Sequence, residues 1–90
     1  MSIKIQIPSY LQPFINNTEA IEVNGSTVGE CLNHLVEQFP DINDKLFDKS
    51  GKLYSYVAIY INGEDAYPEE LARSVKDRAE LQIFYIIDGG

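Results

Sequence analysis

One stretch of the chain constrains its fold more than any other, because its apolar residues follow the period of an α-helix. They recur at intervals of three and four residues and are Val28, Cys31, Leu32, Leu35, Val36 and Phe39. Thr27 and Glu30 have the spacing of a capping box at the start of this stretch. Pro40 cannot continue a helix. The pattern therefore predicts one amphipathic helix with a single buried face.

The segments on either side of this helix have the alternation typical of β-strands. Residues 3–7 alternate apolar and polar side chains, and residues 19–23 form a second strand that turns Ile21 and Val23 toward the core. Residues 41–53 are polar and broken, with Leu46 and Phe47 as apolar anchors. Two further strands are predicted over residues 54–61 and 81–87, with a short helical turn or brief strand within residues 64–75.

This order of elements predicts an α+β fold of the β-grasp, or ubiquitin-like, type. A hairpin, a crossover helix and returning strands favour a mixed sheet of four to five strands packed on one main helix. The third strand, rather apolar on both faces, is expected to be central or covered on its outer face. The length of 90 residues suits one domain, which we assign to residues 1–87. Residues 88–90 would form a flexible C-terminal tail.

The composition leaves few residues for catalysis or metal binding by the chain itself. Its single cysteine, Cys31, excludes an internal disulfide and a four-thiolate iron–sulfur cluster, and with it an electron-transfer ferredoxin. The helical period places Cys31 at the edge of the apolar stripe, which favours a buried thiol. The single histidine, His34, falls on the polar face, where a solvated side chain is favoured over a metal ligand. We therefore expect no catalytic residue, no metal site and no bound cofactor.

Charge and hydropathy limit the kinds of partner. The net charge is −7, from 14 acidic and 7 basic residues, so a nucleic acid backbone would be repelled and a basic protein attracted. The same charge is equally consistent with a role in solubility alone. No apolar run approaches the roughly 20 residues of a membrane span, and the N-terminus lacks signal-peptide features. We expect a cytoplasmic protein without membrane contact.

The C-terminus carries an unusual end, because Asp88, Gly89 and Gly90 follow directly on a β-prone run. Glycine lacks a Cβ, weakens strands and packs against nothing, so the pair forms a thin, pliable end. A frayed terminus without function is the alternative, since the last residues of many domains are poorly ordered.

Taken in order, these segments resemble the MoaD/ThiS family of ubiquitin-like sulfur carriers over nearly the whole chain. The similarity rests on Ile7-Pro8 after the first strand, on Gly-Ser-Thr-Val-Gly at residues 25–29, and on the terminal Gly89-Gly90. The block that runs from Gly-Lys-Leu at residues 51–53 to Glu-Asp at residues 64–65 is most similar to the branch that serves cysteine biosynthesis. Asp88 departs from the family, which usually has a small apolar residue there, and this leaves the identity of the activating enzyme open.

The resemblance implies a protein cosubstrate and not an enzyme. An E1-like adenylating enzyme would use ATP to activate the carboxylate of Gly90, and a sulfur donor would convert the adenylate to a thiocarboxylate. Asp88 and Gly89 would thread into the partner's active site. In the cysteine branch a PLP-dependent cysteine synthase would take the sulfur, and a zinc metalloprotease would release the product.

Other functions remain open for the same C-terminus. The chain would alternatively be the small subunit of molybdopterin synthase, paired with the large subunit, or a thiamine sulfur carrier. A ubiquitin-like protein modifier would instead join Gly90 to lysines through isopeptide bonds. The remaining alternative is a β-grasp binding module whose tail is incidental.

Strand alternation also predicts where a partner docks. Leu81, Ile83 and Tyr85 would face the core, whereas the outer face of the last two strands would carry Ala58, Tyr60, Phe84 and Ile86. Exposed aromatic side chains of this kind are typical of protein interfaces. The alternative interpretation is that Tyr60 and Phe84 only shield the outer face of the sheet.

Overall fold

A computed structural model of the protein describes residues 1–86. These residues form a five-stranded mixed sheet that packs against a helix. The strands are β1 Ser2–Gln6, β2 Ala20–Asn24, β3 Val57–Ile61, β4 Glu64–Asp65 and β5 Glu80–Tyr85, in the sheet order β2-β1-β5-β3-β4. β1 and β5 are parallel, and all other neighbours are antiparallel. The predicted mixed sheet is therefore confirmed.

The main helix, α1, spans Val28–Gln38 and begins where its capping residues predict. The hydroxyl of Thr27 accepts a hydrogen bond from the Glu30 backbone N–H at 3.1 Å. The Glu30 carboxylate accepts from the backbone N–H and the hydroxyl of Ser26, each at 2.8 Å, where a standard capping box would use the Thr27 N–H. Because both hydrogen bonds favour the carboxylate, the backbone one most, the pKa of Glu30 is lowered.

The cap allows a direct test of how α1 is held. We expect Thr27→Ala to lower the free energy of unfolding by about 1 kcal/mol, because the Glu30 N–H loses its acceptor at the first turn. Chemical denaturation followed by circular dichroism measures the change. Thr18→Ala, in the turn before β2, is the matched control and should have a much smaller effect. Equal losses in the two variants would contradict a specific role of the cap.

The core lies between the sheet and α1 and is also closed by side chains from the connections. The sheet contributes Ile3, Ile5, Val23, Ile59, Leu81 and Ile83, and the helix contributes Val28, Cys31, Leu32 and Leu35, all 2% exposed or less. The second helix, α2, is short and spans Asn43–Leu46. The predicted anchors Leu46 and Phe47 are both buried. Within residues 1–86, neither helix has the length and apolar character needed to cross a membrane.

Two sequence-based expectations are wrong in detail. β3 begins at Val57 and not at residue 54, because residues 55 and 56 form a turn. As expected, β3 is an interior strand, since it pairs with β5 on one side and with β4 on the other. His34 is partly buried, and its Nδ1 accepts the backbone N–H of Asn24 at 2.8 Å. This histidine therefore satisfies a backbone donor at the end of β2, which the solvated interpretation had not foreseen.

Candidate functional site

The three residues predicted to carry the chemistry, Asp88, Gly89 and Gly90, lie outside the described residues. The flexible tail, the covalent role of Gly90 and the threading role of the other two therefore stay predictions. The structure does place the segment from which they extend. Ile86 directly follows β5, and its backbone N–H donates to the carbonyl of Tyr56 at 2.7 Å. This hydrogen bond fixes the last described residue against the turn before β3.

The four residues predicted as a docking surface lie together on the sheet, and we call them the outer-face patch. Ala58 pairs with Phe84 across β3 and β5, and the rings of Tyr60 and Phe84 meet edge to face with centroids 5.1 Å apart. Phe84 and Ile86 are 44% and 56% exposed, whereas Ala58 is 7% exposed. All four line a depression of about 390 Å³. The docking role of this patch stays a prediction, but its residues form one continuous apolar surface.

An aromatic cluster that the sequence did not reveal surrounds the end of β5. Tyr85 stacks on Tyr10 with centroids 3.8 Å apart, meets Tyr56 edge to face at 4.9 Å, and Tyr56 stacks on Tyr54 at 5.0 Å. Tyr85 was expected in the core, but it is 38% exposed and lies beyond the core's edge. The tyrosine cluster, made of these four residues, thus packs around the strand end that leads into the tail.

Burial and neighbouring phenols raise the pKa of two members of the tyrosine cluster, Tyr10 and Tyr85. Burial raises the pKa of Tyr10 well above its ordinary value, and the neighbouring Tyr85 and Tyr56 raise it further. The pKa of Tyr85 is raised for the same reasons, with a hydrogen bond to Tyr56 adding to the effect of burial. Among residues 1–86, the buried hydroxyl of Tyr10 has no hydrogen-bond partner. The stacked rings of the cluster therefore support the end of β5.

A groove also missed by the sequence analysis opens beside the outer-face patch. It has a volume of about 720 Å³ and lies between residues 52–55 on one side and residues 65–72 on the other. Ala58, Asp65 and Ile86 line both the groove and the depression of the patch. The two concave surfaces are therefore continuous, and Ile86, the last described residue, lies where they meet.

The remaining polar residues do not assemble a metal centre within the described part of the chain. No group of three or more His, Cys, Asp or Glu side chains among residues 1–86 is arranged to hold a metal ion. The thiol of Cys31 is fully buried, as predicted, and burial raises its pKa. A buried thiol with a raised pKa is a poor nucleophile, because the thiolate is the reactive form.

Comparison with known proteins assigns a family to this sheet, helix and C-terminus. The family model of ThiS matches residues 5–90, which is nearly the whole chain. The chain belongs to the ThiS family. Membership fits the strand order of the sheet, the single main helix and the terminal Gly-Gly, and it confirms the resemblance drawn from the sequence.

Two relatives of the chain are named as a carrier and a modifier. The chain is 30% identical to the sulfur carrier protein CysO of Mycobacterium tuberculosis (strain ATCC 25618 / H37Rv) over 93 aligned residues, covering 100% of both proteins. It is 32% identical to small archaeal modifier protein 1 of Haloferax volcanii over 76 residues, covering 83% of this chain and 84% of that protein. Neither relative is named for a catalytic activity.

A solved structure confirms the ubiquitin-like β-grasp fold. The chain superposes on one chain of the crystal structure of the Amycolatopsis orientalis BexX/CysO complex with a TM-score of 0.87 and 27% identity. The match covers 98% of this chain and 99% of that one. The predicted fold class is therefore correct for the whole body of the protein.

Proposed function

We propose that this protein is a cytoplasmic sulfur carrier whose C-terminal Gly90 is adenylated by an E1-like enzyme and converted to a thiocarboxylate. The observation that carries the proposal is the full-length similarity to CysO together with the terminal Gly89-Gly90. The same similarity supports cysteine biosynthesis as the destination of the sulfur, ahead of molybdopterin or thiamine synthesis. The partners would then include a PLP-dependent cysteine synthase and a zinc metalloprotease.

The chemistry suits a chain without a catalytic centre of its own. An α-carboxyl group has a pKa of about 3.3–3.7, so Gly90 carries an ionised carboxylate at pH 7. One of its oxygens attacks the α-phosphorus of ATP, and pyrophosphate leaves. Hydrosulfide, the simplest sulfur donor, then attacks the acyl carbon, and AMP leaves as the C–S bond of the thiocarboxylate forms. Two residues without side chains let the carboxylate enter a narrow site, because no Cβ meets its walls.

Intact-mass measurement tests the proposal. Incubation of the chain with its activating enzyme, ATP and a sulfur donor should give a mass gain equal to the replacement of one oxygen by one sulfur. Omission of ATP should leave the mass unchanged, because the carboxylate is then never activated. A chain that forms neither an adenylate nor a thiocarboxylate with any E1-like enzyme of its organism would overturn the proposal.

A second function is favoured by one specific observation, the 32% identity to small archaeal modifier protein 1. The same acyl-adenylate would react with the ε-amine of a lysine, and AMP would leave as an isopeptide bond forms. Peptide mapping of cell extracts distinguishes the two functions. After digestion with trypsin, which cleaves last at Arg78, residues 79–90 attached to lysines of other proteins would support a modifier, whereas a thiocarboxylate without such attachments would support a carrier alone.

The outer-face patch should provide binding energy for activation. Ordering the tail in a partner costs roughly 1–2 kcal/mol per residue, and contacts of the folded body have to offset this cost. Truncation of Tyr60 and Phe84 to Ala should raise KM for this protein about tenfold and change kcat little, because the contacts are equally present before and during the reaction.

ATP–pyrophosphate exchange with the activating enzyme measures both constants for the patch variant. The matched control truncates Phe14, which is 39% exposed and packs under the ammonium of Lys45, away from the patch. The same rise in KM for Phe14→Ala, or an unchanged KM for the patch variant, would contradict docking through the patch.

A further inference from the structure

The groove beside the outer-face patch has a composition that selects its occupant. Its wall at residues 65–72 is acidic, with carboxylates from Asp65, Glu69 and Glu70, and Lys52 on the opposite side supplies the one cationic side chain among the groove-lining residues. Leu53, Leu71 and Ile86 add apolar surface. A ligand that fits this groove therefore needs apolar side chains together with positive charge.

The charges on the acidic wall are available to a ligand. Glu69 is exposed and Glu70 is partly exposed, while Asp65 already accepts the backbone N–H of Tyr67 at 3.0 Å. The nearest arginine, Arg73, uses its guanidinium to donate to the carbonyls of Ala66 and Tyr67 at 3.2 and 3.4 Å. This arginine does not line the groove, whereas both glutamates do.

The side chain of Tyr67 adds an unusually exposed apolar surface to the groove. It lines the groove and is 70% exposed, the largest value among the exposed large hydrophobic side chains of residues 1–86. A large aromatic side chain held open to water on a groove wall is typical of a surface that a partner covers. Planar guanidinium groups stack on aromatic rings and also bind carboxylates with two hydrogen bonds.

We propose that this groove is a second docking site, which binds an arginine-containing apolar segment of the protein that acts on the tail. The groove and the outer-face patch share Ala58, Asp65 and Ile86, so one partner can cover both surfaces at once. The position of the acidic wall determines how the partner segment is oriented. The arginine of the segment lies along residues 65–70, and its apolar side chains lie over residues 53–58. The identity of the partner rests on the proposed function, but the chemistry of the occupant does not.

Nuclear magnetic resonance titration of the ¹⁵N-labelled full chain tests the proposal. The probe is a capped peptide with two leucines and two arginines in a glycine–serine background, and the matched peptide has glutamates in place of the arginines. The arginine peptide should shift the amide resonances of residues 52–55 and 65–72, and the glutamate peptide should leave them unchanged. Shifts confined to another surface, or no shifts at millimolar peptide, overturn the proposal.

Charge reversal provides the matched pair of variants. Glu69→Lys combined with Glu70→Lys should weaken binding of the arginine peptide at least tenfold. Glu37→Lys combined with Asp41→Lys makes the same change of net charge at exposed positions that do not line the groove, and it should change binding less than twofold. Equal weakening in both double variants would show a general charge effect and would overturn the assignment.

The groove can also be filled without altering its charge. Ala72 is exposed and lines the groove, so Ala72→Trp should reduce binding of the arginine peptide while the amide spectrum keeps its dispersion. Undiminished binding to this folded variant would contradict the site. The mass gain at Gly90 is measured separately, so a failed peptide titration with a normal mass gain rejects only the groove, and the reverse result rejects only the sulfur carrier.

Discussion

Deletion of Gly90 should abolish thiocarboxylate formation completely while leaving the fold unchanged. The deletion moves the terminal carboxylate back by one residue, which is about 3.3–3.6 Å along an extended chain. Attack on the α-phosphorus of ATP requires the reacting atoms to approach within about 3–3.5 Å, so a shift of this size removes the reaction. Among the described residues the buried core ends at Ile83, and we expect the thermal unfolding of the variant to match that of the intact chain.

Intact-mass measurement and ATP–pyrophosphate exchange measure the effect of this deletion on activation. Gly90→Ala is the informative companion, since it keeps the length of the tail and adds only a Cβ. We expect partial activity for Gly90→Ala and none for the deletion, because the position of the carboxylate matters more than the bulk beside it. A mass gain in the deletion variant as large as in the intact chain would show that the C-terminal carboxylate is not held at a fixed distance.

The parts of the fold that follow from local signals were predictable from the sequence. α1 was predicted closely because three independent signals coincide there: an apolar stripe, a cap at Thr27 and a stop at Pro40. β1 was predictable because its alternation matches a strand with one buried face, and Ile3 and Ile5 are indeed fully buried. The ubiquitin-like fold type followed from the order of the element types along the chain.

The parts that depend on contacts between distant segments were not predictable. Tyr54 and Tyr56 have the high β-propensity of strand residues, yet they lie outside β3, where they stack on each other and Tyr56 packs against Tyr85. Strand alternation places Tyr85 on the same face of β5 as the buried residues Leu81 and Ile83, but the core ends before Tyr85. Alternation carries no information on where the opposing layer stops.

The groove illustrates the same limit at a candidate site. Its two walls come from residues 52–55 and 65–72, and its far end comes from Ile86. No short window of sequence contains all three. The outer-face patch was predictable because Ala58 and Phe84 each obey a simple alternation rule and are brought together by strand pairing. Sequence reasoning therefore finds surfaces formed by regular strands and misses those formed by irregular connections.

The second large expected effect concerns the stability of the folded body, which is separate from the chemistry of the tail. Leu32→Ala should lower the free energy of unfolding by about 2–5 kcal/mol, since a fully buried side chain is removed and a cavity is left. Small domains have a total stability of roughly 5–15 kcal/mol, so the loss is a large fraction. Denaturant titration measures it, and Asn33→Ala, exposed on the same helix, is the control.

This core variant also separates stability from chemistry. Leu32 lies in the core under α1 and lines neither the groove nor the depression of the outer-face patch. At a temperature where Leu32→Ala remains folded, its KM and kcat with the activating enzyme should therefore equal those of the intact chain. Above its lowered melting temperature, activation should fall in proportion to the folded fraction, because an unfolded body offers no docking surface to offset the ordering of the tail. A tail activated equally well from the unfolded chain would show that the carboxylate alone is recognised.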